Sequence, residues 1–276
     1  MKIKLVADSS ANKYSFEGID FATVPLKILA GEKEYVDDET LDVKNMVKEL
    51  REHKGKSSTA CPSVGDWIHA FGDADIIYGV AITSNLSGCY NAGMIAAEEY
   101  MTSHPNAKVF ILDSLSTGPE MELILEKYKE LIEAGKGFEE ICTEIKAYHA
   151  KTHLLFSLES ITNLARNGRI SSVVAAAVGL LGIRVVGRAS NEGTLEPMHK
   201  CRGEKRALQQ LATLLKELGY KGGKVRISHS FNEPAANKLA QMLQEEYKNC
   251  DIRICPNNGL CCFYAEEGGL IIGFEE

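Results

Sequence analysis

Apolar segments of strand length alternate with amphipathic segments of helix length through the first half of the chain. Residues 76–82 form a continuous apolar run, which is typical of a strand buried on both faces of a parallel sheet. Helical segments follow at 88–101 and, after a further strand at 108–112, at 119–133. Strands separated by helices favour a parallel sheet that is covered on both faces. This alternation predicts an α/β fold for residues 1–150.

The second half of the chain shows a different order of predicted elements. Two of its strands are neighbours across a short turn, Asn191-Glu192-Gly193, which favours an antiparallel pair. The predicted strands are 183–188, 194–200, 224–229 and 251–255, and the predicted helices are 203–218 and 233–247. We therefore predict an α/β protein of two domains, a parallel-sheet domain at 1–150 and a smaller domain with a mixed sheet at 151–276.

Charge and composition argue against several kinds of function. The chain of 276 residues has a formal net charge of −7 and no run of lysine or arginine, which argues against a nucleic-acid partner. Its longest weakly polar run, 173–186, is shorter than the roughly 20 residues that a membrane helix needs. The eight cysteines show no C-x-x-C pair and no histidine partners at zinc spacing. We predict free thiols, no metal site and a cytoplasmic protein.

Hydroxyl-bearing segments follow three predicted strands of the first half, at 8–10, 83–87 and 113–118. The carboxyl ends of parallel strands share one edge of a sheet, so these segments should meet at the edge where α/β proteins bind ligands. A fourth polar segment, 57–63, precedes the helix that Ser63 should cap. Helix capping explains each segment alone, whereas four segments together favour a site for a carboxylate or a phosphate.

The loop that contains Ser84, Ser87 and Gly88 is the strongest candidate for this site, but it lacks the marks of a catalytic centre. Its sequence, N-L-S-G-C, is not the G-x-S-x-G elbow of serine hydrolases, and the sequence places no histidine near Ser87. No G-x-x-x-x-G-K-[ST] or G-x-G-x-x-G motif offers a nucleotide site. The residues therefore predict an anion held by neutral donors and helix N-termini, with no catalytic residue.

Arg169 follows a predicted helix end at Asn167-Gly168 and admits two interpretations. It is either a solvated residue of a tight turn, or it faces the sheet edge of the first domain and adds a cation to the anion site. The predicted helix that follows, 171–182, consists almost entirely of small or flexible apolar residues. Such a helix allows either close packing of a neighbouring element or room for an elongated apolar ligand.

Eight segments of the chain, taken in order, resemble the DegV family of bacterial fatty-acid-binding proteins. They are VADSS, VPLKILAGEKEYVDD, TACPS, ITSNLSGCYNAG, ILDSLSTG, ITNLARNGRIS, GTLEPMHKCRGEKRAL and ISHSFNEPAA. The resemblance implies two domains with a long-chain fatty acid between them. It also implies that Thr59 of TACPS and Ser87 of NLSG bind the carboxyl group of that fatty acid.

The resemblance further implies a function and a partner. Proteins of this family act as the lipid-presenting subunit of fatty acid kinase, whose separate ATP-dependent subunit makes the acyl phosphate. The arginine of the family's G-R-I turn matches Arg169, and the resemblance ties this residue to the phosphorylation step. Such a carrier needs no cofactor, is not itself an enzyme, and is compatible with transient contact to a membrane.

The sequence departs from the family's pattern near the expected carboxyl site. Ala60 and Cys61 replace serine and glutamine in TACPS, and Cys89 stands where threonine is usual. Many members carry a histidine near the C-terminus, where this chain has Tyr264, and we expect the tyrosine to supply a hydroxyl donor instead. Two alternatives stay open: a small-anion hydrolase or kinase that uses the Ser87 loop, and a lipid-sensing regulatory module.

Overall fold

The structure is a computed structural model that describes residues 1–170 and 182–276. Its strands in this part of the chain are β1 (Ile3–Asp8), β2 (Phe21–Val24), β3 (Lys27–Ala30), β4 (Lys33–Val36), β5 (Ser57–Ala60), β6 (Ile76–Ala81), β7 (Lys108–Asp113), β8 (Thr152–Leu158), β9 (Ile183–Ala189), β10 (Leu195–Arg202), β11 (Gly223–His229), β12 (Cys250–Pro256) and β13 (Leu270–Glu275). Its helices are α1 (Val43–Glu52), α2 (Val64–Phe71), α3 (Cys89–Ser103), α4 (Pro119–Glu133), α5 (Phe138–His149), α6 (Thr162–Arg166), α7 (Glu204–Glu217), α8 (Glu233–Glu246) and α9 (Gly259–Ala265).

Four strands of the first half form a parallel sheet in the order β2-β1-β6-β7. Helices cover both faces of the central strand β6, which explains its continuous apolar sequence. On one face, the ring of Tyr78 contacts Tyr128 of α4 and Phe138 of α5. On the other face, Gly93 of α3 lies against Ile111 of β7. The predicted parallel sheet of an α/β fold is confirmed.

A small antiparallel sheet, in the order β4-β3-β5, lies beside the parallel one. Strands β3 and β4 form the hairpin that the alternating sequence predicts, with its turn at Gly31-Glu32. Strand β5 was not predicted, because its four residues are all small or polar. The sheet packs with α1 and α9 around a core of Ile28, Met46 and Phe263.

The second half of the chain contributes a six-stranded mixed sheet in the order β10-β9-β8-β13-β11-β12. Only the β11–β12 pair is parallel among its described pairings. Helices α7 and α8 cover one face, where the strands and helices share a buried core around Leu155, Leu211 and Ile272. The mixed sheet predicted for this half is confirmed.

Helix α4 lies between the two large sheets and is buried on nearly all sides. It packs against β6 of the parallel sheet and against β8, β11 and β13 of the mixed sheet. Arg226 of β11, only 1% exposed, forms two parallel hydrogen bonds of 2.7 Å to the carboxylate of Glu126 on α4. Arg226 also contacts Asp251 of β12 at 2.9 Å. This ion pair therefore joins the helix of one sheet to the strands of the other.

Local signals in the sequence predicted several elements at their observed bounds. Helix α4 covers residues 119–133 as expected, and Ser63 caps α2 in a capping box with Asp66. Strand β2 and helix α9 were not predicted, and the helix expected before Gly168 is limited to α6. The helix predicted at 171–182 lies, except for its last residue, outside the described residues. Within the described ranges, no helix combines the length and the apolar character needed to cross a bilayer.

The first prediction concerns the ion pair under α4. Arg226→Met should lower the free energy of unfolding by about 3 kcal/mol, because it leaves the buried carboxylate of Glu126 without its main partner. Adding Glu126→Gln to that variant should recover part of the loss. Urea unfolding followed by fluorescence of Trp67, the single tryptophan, measures both changes.

The control for this prediction is Lys216→Met, which removes an ion pair to Glu246 on the exposed surface. Exposed pairs contribute little, so this variant should unfold like the wild type. Equal losses for Arg226→Met and Lys216→Met would contradict the importance assigned to the buried pair.

Candidate functional site

A cavity with a volume of about 350 Å³ lies where the carboxyl edge of the parallel sheet faces the mixed sheet. Most of its wall is apolar, and part of this apolar surface comes from β8, α6, β10 and β13. The larger side chains of that part are Leu154, Phe156, Leu158, Leu164, Leu195 and Ile271. Thr59, Ser87, Gly88, Arg169 and Tyr264 also line the cavity. The cavity therefore combines a mainly apolar surface with a small set of polar groups, as in most small-molecule sites.

Thr59 and Tyr264 meet across two distant parts of the chain. Thr59 is held in β5 by its pairing with Ile28 of β3, and Tyr264 lies in the last turn of α9. Their hydroxyl oxygens are 2.7 Å apart and share a hydrogen bond. Burial raises the pKa of Tyr264, which is therefore a neutral donor. Tyr264, which the resemblance suggested as a hydroxyl donor, therefore lies next to Thr59.

The loop after β6 places Ser87 and Gly88 at the start of α3. The Ser87 hydroxyl lies 3.1 Å from the sulfur of Cys89 and 3.4 Å from the backbone nitrogen of that residue. Gly88 lies close to Cys61, since a Cβ atom on this glycine would be 3.2 Å from the Cys61 sulfur. Because Cys61 follows Thr59 by two residues, the Ser87 loop and the Thr59 strand meet at the same end of the cavity.

Ser84 takes a different position in this loop. It is exposed, it is not part of the cavity wall, and its backbone N–H donates to Asp113 at 3.1 Å. The sequence grouped Ser84 with Ser87 because both hydroxyls follow the same strand. The direction of a loop side chain depends on the turn geometry, which the spacing of hydroxyls does not determine.

Arg169 lies at the cavity, in the arrangement that adds a cation to the polar end. Helix α6 ends in a Schellman motif. The N–H of Gly168 donates to the carbonyl of Ala165, and the N–H of Arg169 donates to the carbonyl of Leu164. This turn directs the guanidinium toward the Ser87 loop, where Nε donates to the carbonyl of Leu86 at 3.2 Å. Arg169 therefore links the second half of the chain to the residue before Ser87.

The hydroxyl segments after β1, β6 and β7 do share one edge of the parallel sheet, as predicted, but several of their hydroxyls serve the fold. Ser10 donates to Asp8, and Ser114 donates to the carbonyl of Ser116. Asp8 itself is fully buried and accepts from the N–H of Ile82 at 2.7 Å. Local hydrogen bonds of the loops thus account for these groups. Other residues of the same segments, including Thr83, Ser116 and Thr117, line the cavity.

The tip of the β9–β10 hairpin, residues 190–194, closes one side of the cavity against the Ser87 loop. Thr83 donates to the carbonyl of Gly193 at 2.8 Å, and Asn85 donates to the carbonyl of Glu192 at 2.6 Å. Gly193 has a φ of +74°, and a Cβ atom there would lie 2.2 Å from the Thr83 hydroxyl. The sequence alone does not predict this contact, because its partners are separated by about a hundred residues and carry no motif.

Asp8 and Glu120 are buried carboxyl groups that lie outside the cavity wall. Burial raises the pKa of Asp8 to about 6. Glu120, in the first turn of α4, accepts hydrogen bonds from Ser116 at 2.5 Å and from Thr152 at 2.7 Å, and burial raises its pKa to about 7. Because Ser116 lines the cavity, Glu120 holds one side chain of the wall in place.

All eight cysteines are free thiols; five are buried, Cys250 and Cys255 are half-buried, and Cys61 is exposed. Among the described residues, no group of three or more histidine, cysteine, aspartate or glutamate side chains could hold a metal ion. The polar side chains that line the described cavity are hydroxyls, two thiols and one guanidinium. Such groups donate hydrogen bonds to an anion.

The fold and the cavity define a class: α/β proteins that enclose a largely apolar ligand cavity between a parallel and a mixed sheet. Residues 2–276 match the family model described as "Uncharacterised protein, DegV family". The chain belongs to the DegV family, in agreement with the resemblance of its eight segments.

Two solved structures share this fold over almost the whole chain. A DegV family protein from Eubacterium eligens, loaded with heptadecanoic acid, is 48% identical with a TM-score of 0.97, and the match covers 99% of each chain. The Fatty Acid Kinase (Fak) B3 protein of Streptococcus pneumoniae, loaded with linoleic acid, is 40% identical with a TM-score of 0.98. That match covers 100% of this chain and 99% of the other.

A curated relative has a comparable sequence match. A DegV domain-containing protein of Streptococcus pneumoniae is 40% identical over 279 aligned positions, which cover 100% of this chain and 99% of the relative. This chain is therefore similar to its relatives from end to end, and the site residues lie within the matched region.

The second prediction concerns Glu120 and pH. The ordinary glutamate pKa of 4.5 applies to the unfolded chain, whereas the folded protein keeps this proton up to about pH 7. Between these values the unfolded state binds fewer protons, so the contribution of Glu120 to stability is lost as pH rises, by about 1.4 kcal/mol per pH unit. Glu120→Gln should remove this slope.

Urea unfolding at about pH 5 and about pH 8 measures the effect. The difference in free energy of unfolding between Glu120→Gln and the wild type should shift in favour of the variant by about 2 kcal/mol from about pH 5 to about pH 8. Glu98→Gln, at an exposed position of α3, is the control and should show the same difference from wild type at both pH values. A pH-independent difference for Glu120→Gln would show that the buried carboxyl does not hold a proton.

Proposed function

We propose that this protein binds a long-chain fatty acid in the cavity between its two large sheets. In this proposal Thr59, Ser87 and Tyr264 donate hydrogen bonds to the carboxyl group, Gly88 lets it approach the start of α3, and the acyl chain lies along the apolar wall. The main support is the combination of a set of polar groups and a largely apolar wall in one cavity. Two proteins with the same fold have been solved with a fatty acid bound.

The two parts of the ligand would contribute differently to affinity. Each buried methylene group adds about 0.8 kcal/mol, so a tail of about 15 carbons offers on the order of 10 kcal/mol before ordering costs. Two or three hydrogen bonds to the carboxyl group add about 1–3 kcal/mol. The tail therefore provides most of the affinity, and the polar groups fix the orientation of the carboxyl group.

We further propose that the protein presents this carboxyl group to a separate ATP-dependent kinase subunit and catalyses nothing alone. Support comes from the likeness to the Fak B3 protein. In the proposed division of labour, residues 1–150 carry the carboxyl-binding loops and residues 151–276 cover the acyl chain. Arg169 would pair with the phosphoryl group of the product, because a guanidinium binds phosphate through two parallel hydrogen bonds.

The enzyme alternative has less support than the carrier. A nucleophilic serine needs a base, and no histidine is found among the described residues that line the cavity. A lipid-sensing regulatory module would use the same cavity, and it differs from a carrier only in its partner. Formation of acyl phosphate with a kinase subunit separates these two functions.

The third prediction tests fatty acid binding. Delipidated protein should bind a fluorescent long-chain fatty acid, and Ser87→Ala and Thr59→Val should each weaken this binding by about 1–2 kcal/mol through loss of one hydrogen bond. Gly88→Val should weaken it more, because its side chain enters the space beside Cys61. Ser84→Ala, on the exposed side of the same loop, is the matched control and should bind like the wild type. Wild-type affinity in both hydroxyl variants would refute the placement of the carboxyl group.

The fourth prediction separates binding from presentation. Arg169→Ala should bind the fluorescent fatty acid within about twofold of the wild type, because most of the affinity comes from the tail. The same variant should lose most acyl-phosphate formation when a kinase subunit and ATP are added, and Arg169→Lys should recover only part of it. The measurement is ADP release, with the protein plus ATP but no kinase subunit as a blank. Normal turnover by Arg169→Ala would rule out the proposed role.

A further inference from the structure

Asp37, which lies outside the cavity wall, binds the first turn of α9, the helix that carries Tyr264. Asp37 directly follows β4 and is fully buried. Its Oδ1 accepts a hydrogen bond from the Tyr14 hydroxyl at 2.6 Å, and its Oδ2 accepts one from the backbone N–H of Leu260 at 3.0 Å. Leu260 is the second residue of α9, so a carboxylate of the first half holds a helix of the second half.

Helix α9 depends on this carboxylate because its own cap residue does not help. Asn258 occupies the N-cap position and makes no capping hydrogen bond with its side chain. The first N–H groups of a helix have no partner inside the helix, and a side-chain oxygen normally supplies one. Asp37 supplies that oxygen from a position 223 residues earlier in the sequence.

The contact also fixes how closely α9 approaches β4. A Cβ atom on Gly259 would lie 2.5 Å from Oδ1 of Asp37 and 2.5 Å from the side chain of Leu41. Something must therefore shift if residue 259 carries a side chain: the carboxylate of Asp37, the side chain of Leu41 or the helix itself. Each shift of Asp37 or of the helix disturbs the contact between Asp37 and the first turn of α9.

Tyr264 follows Leu260 by four residues on the same short helix, so the two lie on one face. The helix has only seven residues, and a rotation or shift of its first turn therefore also moves Tyr264. The distance of 2.7 Å between the Tyr264 and Thr59 hydroxyls leaves little room for such a shift.

We infer that Asp37 is a positioning residue for the ligand carboxyl group, acting through α9 on the hydroxyl of Tyr264. This inference rests on the proposed function, because it assumes that Tyr264 donates to a fatty acid. Asp37 itself touches no ligand. Its effect on binding should therefore disappear when the Tyr264 hydroxyl is absent.

A double-mutant cycle with fluorescent fatty acid affinity as the readout tests this inference. Tyr264→Phe should weaken binding about three- to tenfold. Asp37→Asn keeps the shape of the side chain but has one acceptor oxygen for two donors, and it should weaken binding to a similar extent. The double variant should bind within about twofold of Tyr264→Phe alone. Losses that multiply in the double variant would overturn the inference, as would wild-type affinity of Asp37→Asn.

Two further variants keep the test decisive. Tyr14→Phe removes the other hydrogen bond to the same carboxylate and keeps the contact to Leu260, so it should bind like the wild type. If circular dichroism shows that Asp37→Asn is unfolded, Gly259→Ala replaces it in the cycle, since its methyl group displaces the same contact. Non-additivity with Tyr264→Phe is again expected, and multiplied losses again overturn the inference.

The outcomes also separate this inference from the proposed function. If Ser87→Ala and Thr59→Val weaken binding but Tyr264→Phe does not, the fatty acid site stands and the role of Asp37 fails. If the delipidated wild-type protein does not bind the fatty acid, the proposed function fails and the inference fails with it.

Discussion

The two hydrogen bonds between Glu126 and Arg226 connect the two large sheets through helix α4. Both side chains are almost fully buried, so their attraction is offset by the cost of removing two charges from water. Such a pair contributes more to the relative orientation of its elements than to net stability. Helix α4 carries Glu126 at its middle and Glu120 in its first turn, and Glu120 binds Ser116 of the cavity wall. The position of helix α4 thus affects both the packing of the two sheets and part of the cavity surface.

The polar side chains at one end of the cavity already form hydrogen bonds within the protein. Thr59 is bonded to Tyr264, and Arg169 donates to the carbonyl of Leu86. These contacts reduce the side-chain entropy that a ligand would otherwise have to remove. Under the proposed function, the carboxyl group meets hydroxyls that already lie side by side, and the proton of their mutual hydrogen bond is redirected to the carboxyl group on binding. Preorganised donors of this kind suit a carrier that must offer one oxygen of the carboxyl group in a defined direction.

The sequence predicted the elements with strong local signals and missed those that depend on distant contacts. The apolar run of β6, the bounds of α4 and the Ser63 cap follow from short-range chemistry, and the structure confirms them. The meeting of the hydroxyl-bearing segments at one sheet edge was also predictable, because the carboxyl ends of parallel strands share that edge. Strand β5 has no apolar residue larger than alanine, and α9 is buried on nearly every side, so neither shows a periodic pattern. The capping of α9 by Asp37 joins residues far apart in sequence, which no local pattern reveals.

The turn at Gly193 restricts how this cavity can change during evolution. Its backbone lies against Thr83 and Leu115 so closely that any side chain at this position would collide with both. Position 193 therefore tolerates almost no substitution. The backbone of Leu115, which it touches, has equally little room to move. Leu154 and Phe156 of β8 also line the cavity. Changes in the shape of the cavity are therefore expected at side chains such as these, while the backbone contact between the two halves of the protein remains unaltered.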